Sequence, residues 1–352
     1  MYITKNGENM EKALKIILKI MGITFLSIII VIVTAILSGY FYLNSKINKM
    51  QQVNIDENNL SVDIAVEENL TGYRNIALFG ADSRDSDLGE GNRSDCIIIA
   101  SINNDTKEIN LVSVYRDTYV DIDGYGLDKI THAYSYGGPE LALKTLNKNL
   151  DLNIKEFVTV NFDAVADAVD AIGGVDIRIE EDEIDYLNRY AKGRAESIGT
   201  TVEKITKSGL QTLNGIQAVA YSRIRYTDGG DYKRTERMRT VLEAMFRKLK
   251  DKSIGEINNF ADKILPEVYT NIEINEVISL APTILTYKIS DSIGWPYKVK
   301  GITTDRWYGV PVTLEKNVKQ LHEEIFGEEG YTPSAAVQEI SEDIVDETGY
   351  DS

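Results

Sequence analysis

The sequence predicts an α/β domain, a mixed central β-sheet flanked by helices, preceded by one N-terminal transmembrane helix. Three observations lead there. Three short apolar runs, Ile76–Phe79, Cys96–Ser101 and Leu111–Val114, are rich in β-branched residues and bounded by polar turn residues, as buried strands are. Beyond them helical and strand patterns alternate, the arrangement that packs helices against a sheet. Near the N-terminus, residues 20–42 carry no charge.

At about 1.5 Å per residue the uncharged stretch makes roughly 35 Å of helix, enough to cross a hydrocarbon core and longer than the apolar part of a cleaved signal peptide, about 7–15 residues. Tyr40, Phe41 and Tyr42 suit an interfacial aromatic belt. Lys5, Lys12, Lys15 and Lys19 precede the stretch, whereas only Lys46 and Lys49 follow closely. Residues 1–19 are therefore expected in the cytoplasm, and everything after the span outside. Residues 43–70, polar and acidic toward their end, are expected as an extracellular stalk. The globular domain is expected over 71–328.

Within it, residues 137–150 space Leu141, Leu143, Leu146 and Leu150 helically behind Pro139. A strand is expected at Phe157–Phe162. The next helix, 163–174, has an aspartate at its N-cap position and Gly173-Gly174 to stop it, and a strand follows at Val175–Ile179. Residues 181–208, charged and weakly patterned, read as an excursion or lid. A helical pattern resumes over 213–226, and a glycine turn then leads into a long amphipathic helix to residue 250, with Met238, Val241, Leu242, Met245, Phe246 and Leu249 inward. From Tyr331 to Ser352 there are six acidic residues and no basic one, so 329–352 is expected as a disordered acidic tail.

Composition narrows the function. A chain of 352 residues with 43% hydrophobic content can build a sizeable core, and its net charge of −17 argues against a broad nucleic-acid surface. Cys96 has no intrachain partner and opens an apolar strand, so it reads as a core residue. His132 and His322 are too few and too far apart for a zinc site of standard spacing. Walker loop, dinucleotide fingerprint and nucleophile elbow are all absent, so neither nucleotide chemistry nor an ordinary hydrolase is supported.

The candidate chemistry lies at the strand ends. Asp82 and Arg84 follow the first apolar run, Arg93 and Asp95 precede the second, and Arg116 and Asp117 follow the third. If the three strands are neighbours, these residues share one rim. A second basic group, Arg223, Arg225, Arg234 and Arg237, comes later, with Arg234 and Arg237 on one helix face near its start. Guanidinium forks beside a helix N-terminus favour phosphate, although any single arginine pairs by default with a surface carboxylate. Asp82 and Asp95 would together suit magnesium, which takes one or two carboxylates plus phosphate oxygens; aspartates there are also ordinary turn residues.

In this order the strings NIALFGADSR, NRSD, VYRDTYV, DKITHAYSYGG, VDAIGGV, LNGIQAVAYSRIR and DYKRTERMR resemble the LytR-CpsA-Psr family of cell-wall glycopolymer transferases. The likeness is dense from Tyr73 to Leu249 and looser to Phe326. It implies a membrane-anchored enzyme that takes a glycopolymer from a polyprenyl-diphosphate carrier and joins it to peptidoglycan, with Mg2+ as cofactor. Matching family positions, Arg93, Arg116, Arg223, Arg225 and Arg234 would hold the diphosphate, with Arg84 and Arg237 as outer candidates, Asp82 and Asp95 would hold the metal, and Arg93, Arg116 and Asp117 would be catalytic. A groove for the polyprenyl chain would be lined by the Leu141–Leu150 and Val165–Ile172 helices. Two positions depart from the family: Tyr115 replaces a usual proline, with an effect on loop geometry expected, and Met238 replaces a usual glutamine, removing a polar group near the phosphate site. A non-catalytic module that binds the same lipid or wall polymer is the rival reading.

Overall fold

The computed structural model describes residues 50–83, 87–273 and 286–351. Among these no helix is long and apolar enough to cross a membrane; the span expected at 20–42 lies outside them.

The elements run β1 (Gln51–Gln52), α1 (Ile64–Asn69), β2 (Tyr73–Ala81), β3 (Ser94–Asn103), β4 (Glu108–Val114), β5 (Tyr119–Ile122), β6 (Gly126–Lys129), α2 (Ile130–Leu150), β7 (Glu156–Asn161), α3 (Phe162–Ala171) and β8 (Val175–Ile179). They continue with α4 (Ile184–Ser197), β9 (Gly209–Leu213), α5 (Gly215–Ser222), α6 (Gly230–Lys250), α7 (Ile254–Ile264), β10 (Tyr269–Thr270), β11 (Lys288–Trp295), β12 (Val299–Thr303), β13 (Trp307–Pro311), α8 (Leu314–Ile325) and α9 (Ala335–Thr348). The central sheet is mixed, in the order β1-β10-β7-β2-β3-β4-β11. Its middle strands, β2, β3 and β4, pair antiparallel, while β7 runs parallel to β2 and β11 parallel to β4.

Alternation along these strands serves two covered faces. Ala77, Phe79, Ile97, Ile99, Val112 and Val114 join the larger core with α2, α8 and α9, whereas Leu78, Cys96, Ile98, Ala100 and Leu111 face the other way. Both faces are apolar, so the strands read as nearly continuous hydrophobic runs. Helix α2 is broken at Gly137-Gly138, where Gly138 takes φ +62°, and Pro139 opens its second half. Helix α3 begins one residue before the expected start and is capped by Asn161, whose side chain accepts from Ala164 N, rather than by Asp163. The expected excursion at 181–208 contains α4, with Leu187 and Ala191 in a second core beside α3, α5 and α6.

Two expected boundaries are corrected. Of the stalk, residues 50–70 belong to the compact unit: β1 pairs with β10, and Leu60 and Leu70 are fully buried in the larger core. The apolar positions that do this are widely spaced in a polar stretch, which hid them. The acidic tail is likewise no tail. Val337, Ile340 and Ile344 recur at helical spacing and seat α9 in the core, and Ser334 caps it. Ser334 also donates to buried Asp151 at the end of α2, through N at 2.7 Å and Oγ at 2.6 Å, and Tyr331 Oη joins them at 3.0 Å. Replacing Ile344, fully buried, by alanine is expected to cost about 2–5 kcal/mol, read as a lower denaturant midpoint. An unchanged midpoint would show that α9 contributes no stability.

Candidate active site

Because β2, β3 and β4 alternate in direction, the end of β2, the start of β3 and the end of β4 meet at one edge of the sheet. Asp82 N donates to Arg93 O at 3.1 Å and closes the first two strands together. The first turn of α2 fixes the rest: Thr131 Oγ1 donates to Ser94 O at 2.8 Å, Thr131 N to Arg116 O at 3.2 Å and Ile130 N to Thr118 O at 2.9 Å. From the opposite side Arg239 ties α6 to β4 and β11, donating to Ser113 Oγ at 3.0 Å and Ile293 O at 2.6 Å.

Asp95 is the centre of what this edge holds. Arg116 Nη1 donates to its Oδ1, while Arg234 Nη1 and Arg225 Nη2 stand 3.7 and 3.8 Å from its Oδ2. Asp231, in the first turn of α6, holds the same pair of arginines, 3.0 Å from Arg234 Nη2 and 3.7 Å from Arg225 Nε. Arg234 is 1% exposed, and loss of solvent pushes its guanidinium pKa below the ordinary value against the pull of Asp231. The Nε groups of Arg116 and Arg234 are buried, yet have no hydrogen-bond partner among the described residues. Leaving a buried donor unpaired costs about 1–3 kcal/mol, so each of these two N–H groups is a donor that an arriving anion would satisfy.

Other expected members fall at different distances from this centre. Arg93 is exposed at the rim, and Arg223, exposed too, lies with its guanidinium 5.3 Å from the Phe162 ring centroid. Arg84 lies outside the described residues. Asp117 Oδ1 stands 2.8 Å from Lys129 Nζ, an ion pair without hydrogen-bond alignment, and 3.8 Å from Arg116 Nε. Arg237 does not reach the cluster. Its Nε donates to buried Glu183 at 2.7 Å, Nη1 to Ile224 O at 3.0 Å and Nη2 to Thr227 Oγ1 at 2.6 Å, which pins the loop carrying Arg225 to α6. Asp231 and Lys129 were missed by sequence reasoning; an aspartate three residues before Arg234 at a helix start was the available signal for the first.

Asp82 is exposed, and no group of three or more His, Cys, Asp or Glu side chains that could hold a metal occurs among the described residues. Two carboxylates at one edge fit magnesium only when phosphate oxygens complete the shell, since Asp95 alone already faces three guanidinium groups.

Beside the cluster lies an apolar cavity of about 220 Å³ between β2, β3 and β7 on one side and α3, α6 and α7 on the other. Cys96, next to Asp95, and Ser222, next to Arg223, are both in its wall, so it begins where the arginines end. Burial pushes the Cys96 thiol pKa up to about 12, which leaves it a neutral wall residue. Val165 and Ala168 of α3 line the cavity as expected; Leu143, Leu146 and Leu150 of α2 instead fill the core on the other face of the sheet. The departures from the family pattern are also placed. Met238 is a buried part of the cavity wall, so its thioether adds apolar surface. Tyr115 does more than shape a loop: its ring packs over Gly294, where a Cβ would stand 2.1 Å from its hydroxyl, and against Tyr232 with centroids 4.4 Å apart.

A mixed sheet that sets a guanidinium and carboxylate edge against an apolar cavity defines a site for an amphiphile with an anionic head. The chain belongs to the LytR_cpsA_psr family, whose model matches residues 37–323. It is 36% identical over 200 residues, 56% of this chain and 60% of the relative, to the polyisoprenyl-teichoic acid–peptidoglycan teichoic acid transferase TagU of Enterococcus faecalis. To TagT of Bacillus subtilis, of the same description, it is 32% identical over 234 residues, covering 64% of this chain and 70% of that one. The fold is similar to a solved structure of TagT bound to LI-WTA, with a TM-score of 0.55 and 26% identity over 80% of this chain and 92% of that one.

Proposed function

We propose that this chain transfers a glycopolymer from a polyprenyl-diphosphate carrier to a sugar hydroxyl of peptidoglycan. The observation that carries the reading is the convergence of Arg116, Arg225 and Arg234 on Asp95, with two buried guanidinium N–H groups unpaired, at the end of an apolar cavity. The relatives' transferase activity supports it. In the reaction the acceptor hydroxyl oxygen bonds to the phosphorus on the glycan side, the bond from that phosphorus to the bridging oxygen breaks, polyprenyl phosphate leaves and the hydroxyl proton is released. Little covalent help is needed from the protein; positioning and neutralisation of charge on the transferring and leaving oxygens dominate. Arg234 meets that charge from a buried position and Arg116 from a partly buried one, Arg225 from the loop pinned by Arg237, with Arg93 and Arg223 further out. The cavity takes the first part of the prenyl chain. Magnesium, held by Asp82 and Asp95, would neutralise further phosphate charge when bound. The energy is already in the carrier diphosphate, so no nucleotide is required, which suits a catalytic domain outside the membrane, anchored by residues 20–42.

The test supplies the full-length chain with a short lipid-diphosphate glycan, a peptidoglycan fragment and magnesium. A phosphodiester-linked product is expected, and its yield falls on chelation. Tight lipid binding with no product under any of these conditions would leave the binding module standing instead.

A further inference from the structure

Residues 181–208, expected as an excursion or lid, bring α4 against the loop that carries Arg225. One side chain makes the junction. Arg237 donates from Nε to Glu183, which directly precedes α4, and from Nη1 and Nη2 to Ile224 O and Thr227 Oγ1, so the start of the helix and the loop on either side of Tyr226 are held to the same guanidinium. Tyr186, in the first turn of α4, thereby meets Tyr226, with ring centroids 6.0 Å apart and planes inclined by 28°. The Arg189 guanidinium follows, 4.9 Å from the Tyr186 centroid and 5.4 Å from that of Tyr190. Tyr226 is 68% exposed, and Arg189 is exposed as well. An exposed ring whose backbone is fixed on both flanks is already ordered, so a ligand that packs on it pays little to immobilise it. Of the basic side chains on α4, Lys192 pairs with Glu196 and Arg194 with Asp163, whereas Arg189 has no carboxylate partner among the described residues, in a chain whose net charge is −17.

This row adjoins the phosphate site through the chain itself: Tyr226 follows Arg225, whose guanidinium is 3.8 Å from Asp95 Oδ2. A tyrosine ring presents an apolar face to the C–H groups of a sugar and a hydroxyl to its polar edge, and a guanidinium stacked on such rings keeps its N–H edge for an anion. We propose that Tyr226, Tyr186 and Arg189 form the subsite for the donor glycan, with the sugars next to the diphosphate lying along the tyrosines and an anionic substituent of the polymer meeting Arg189. The substrate class is then an anionic glycopolymer. The assignment deepens the transferase reading and rests on it. Donor is favoured over acceptor because the donor glycan is bonded to the phosphate that Arg225 meets, which puts its first sugars within reach of the next residue in the chain. The unpaired guanidinium also adds positive charge beyond the arginines that meet the diphosphate.

The test gives the full-length chain three prenyl diphosphates: one without glycan, one carrying a neutral trisaccharide, and one whose trisaccharide bears a phosphate. Tyr226→Ala is expected to weaken binding of both glycan-bearing lipids about tenfold, the scale of one aromatic contact, and to bind the glycan-free lipid as the parent does. Tyr226→Phe keeps the ring and the affinity. Arg189→Gln weakens only the phosphate-bearing lipid, about threefold, and the difference shrinks at high salt. In the transfer assay the alanine and glutamine variants raise the donor KM and keep the parental acceptor KM. If Tyr226→Ala weakens the glycan-free lipid equally, the ring serves Arg225 and the subsite is wrong; a raised acceptor KM with an unchanged donor KM gives the row to the acceptor and overturns it too. Equal effects of Arg189→Gln on the neutral and phosphate-bearing lipids remove the anionic class. Product formed with parental KM values in every variant overturns the subsite and leaves the transferase. Glycan-dependent binding that Tyr226→Ala loses, in a chain that forms no product with any donor, keeps the subsite and removes the transferase.

Discussion

Arg116→Ala is expected to lower turnover about a hundredfold to a thousandfold, the usual consequence of losing one preorganised charge contact worth about 2.7–4 kcal/mol, with a much smaller loss in affinity for the lipid carrier. The reason lies in where charge appears. On the proposed reading Arg225 and Arg234 hold the diphosphate in the ground state, and a group that matters only as charge shifts to the leaving phosphate lowers kcat rather than binding. Stability should change little, because Asp95 keeps Arg234 and Arg225 within 3.7 and 3.8 Å and is not stranded. Arg116→Lys should recover part of the rate, since an ammonium restores charge at that edge but cannot make a planar two-pronged contact. Single-turnover rates and lipid binding measured on the same preparations decide it. Equal losses in binding and rate would assign Arg116 to holding the carrier, and a change in binding alone, with no product from the parent chain, would favour the non-catalytic module.

The edge that makes this test possible was legible in the sequence for a simple reason. Ile76–Phe79, Cys96–Ser101 and Leu111–Val114 are dense β-branched runs, and their local pattern survives into β2, β3 and β4, bringing Asp95 and Arg116 together as expected. Partnership across long separations was not legible. Arg234 and Arg237 share a helix face by spacing, yet one turns to Asp95 and the other to Glu183. Periodicity names a face and is silent on which carboxylate arrives there from another element. The same limit put the Leu143 and Leu146 stripe in the lipid groove when it packs under the other side of the sheet. Composition misled at the C-terminus, where acidic residues on the outer face of α9 masked Val337, Ile340 and Ile344.

The buried pair left over from that division predicts the largest loss of stability. Arg237 is 2% exposed and its carboxylate partner Glu183 is 3% exposed, so Arg237→Ala strands a buried charge and should destabilise the chain by about 3–5 kcal/mol, far beyond a surface ion pair. Glu183 Oε2 would keep its bond from Glu180 N at 2.9 Å, but among the described residues no second cation pairs with it. Replacing both partners with apolar residues, Glu183→Leu with Arg237→Met, removes the stranded charge and should recover most of the loss. Turnover should not recover with it. The loop carrying Arg223 and Arg225 is anchored by Arg237 at Ile224 O and Thr227 Oγ1, and neither leucine nor methionine replaces those two donors. Denaturant melts and turnover on the three variants would therefore separate: Arg116→Ala stable and slow, Arg237→Ala unstable and slow, the apolar pair stable and slow. Full activity in the apolar pair would show that the loop needs no anchor from α6, and a loss under about 1 kcal/mol in Arg237→Ala would show that the pair is not desolvated as the structure has it.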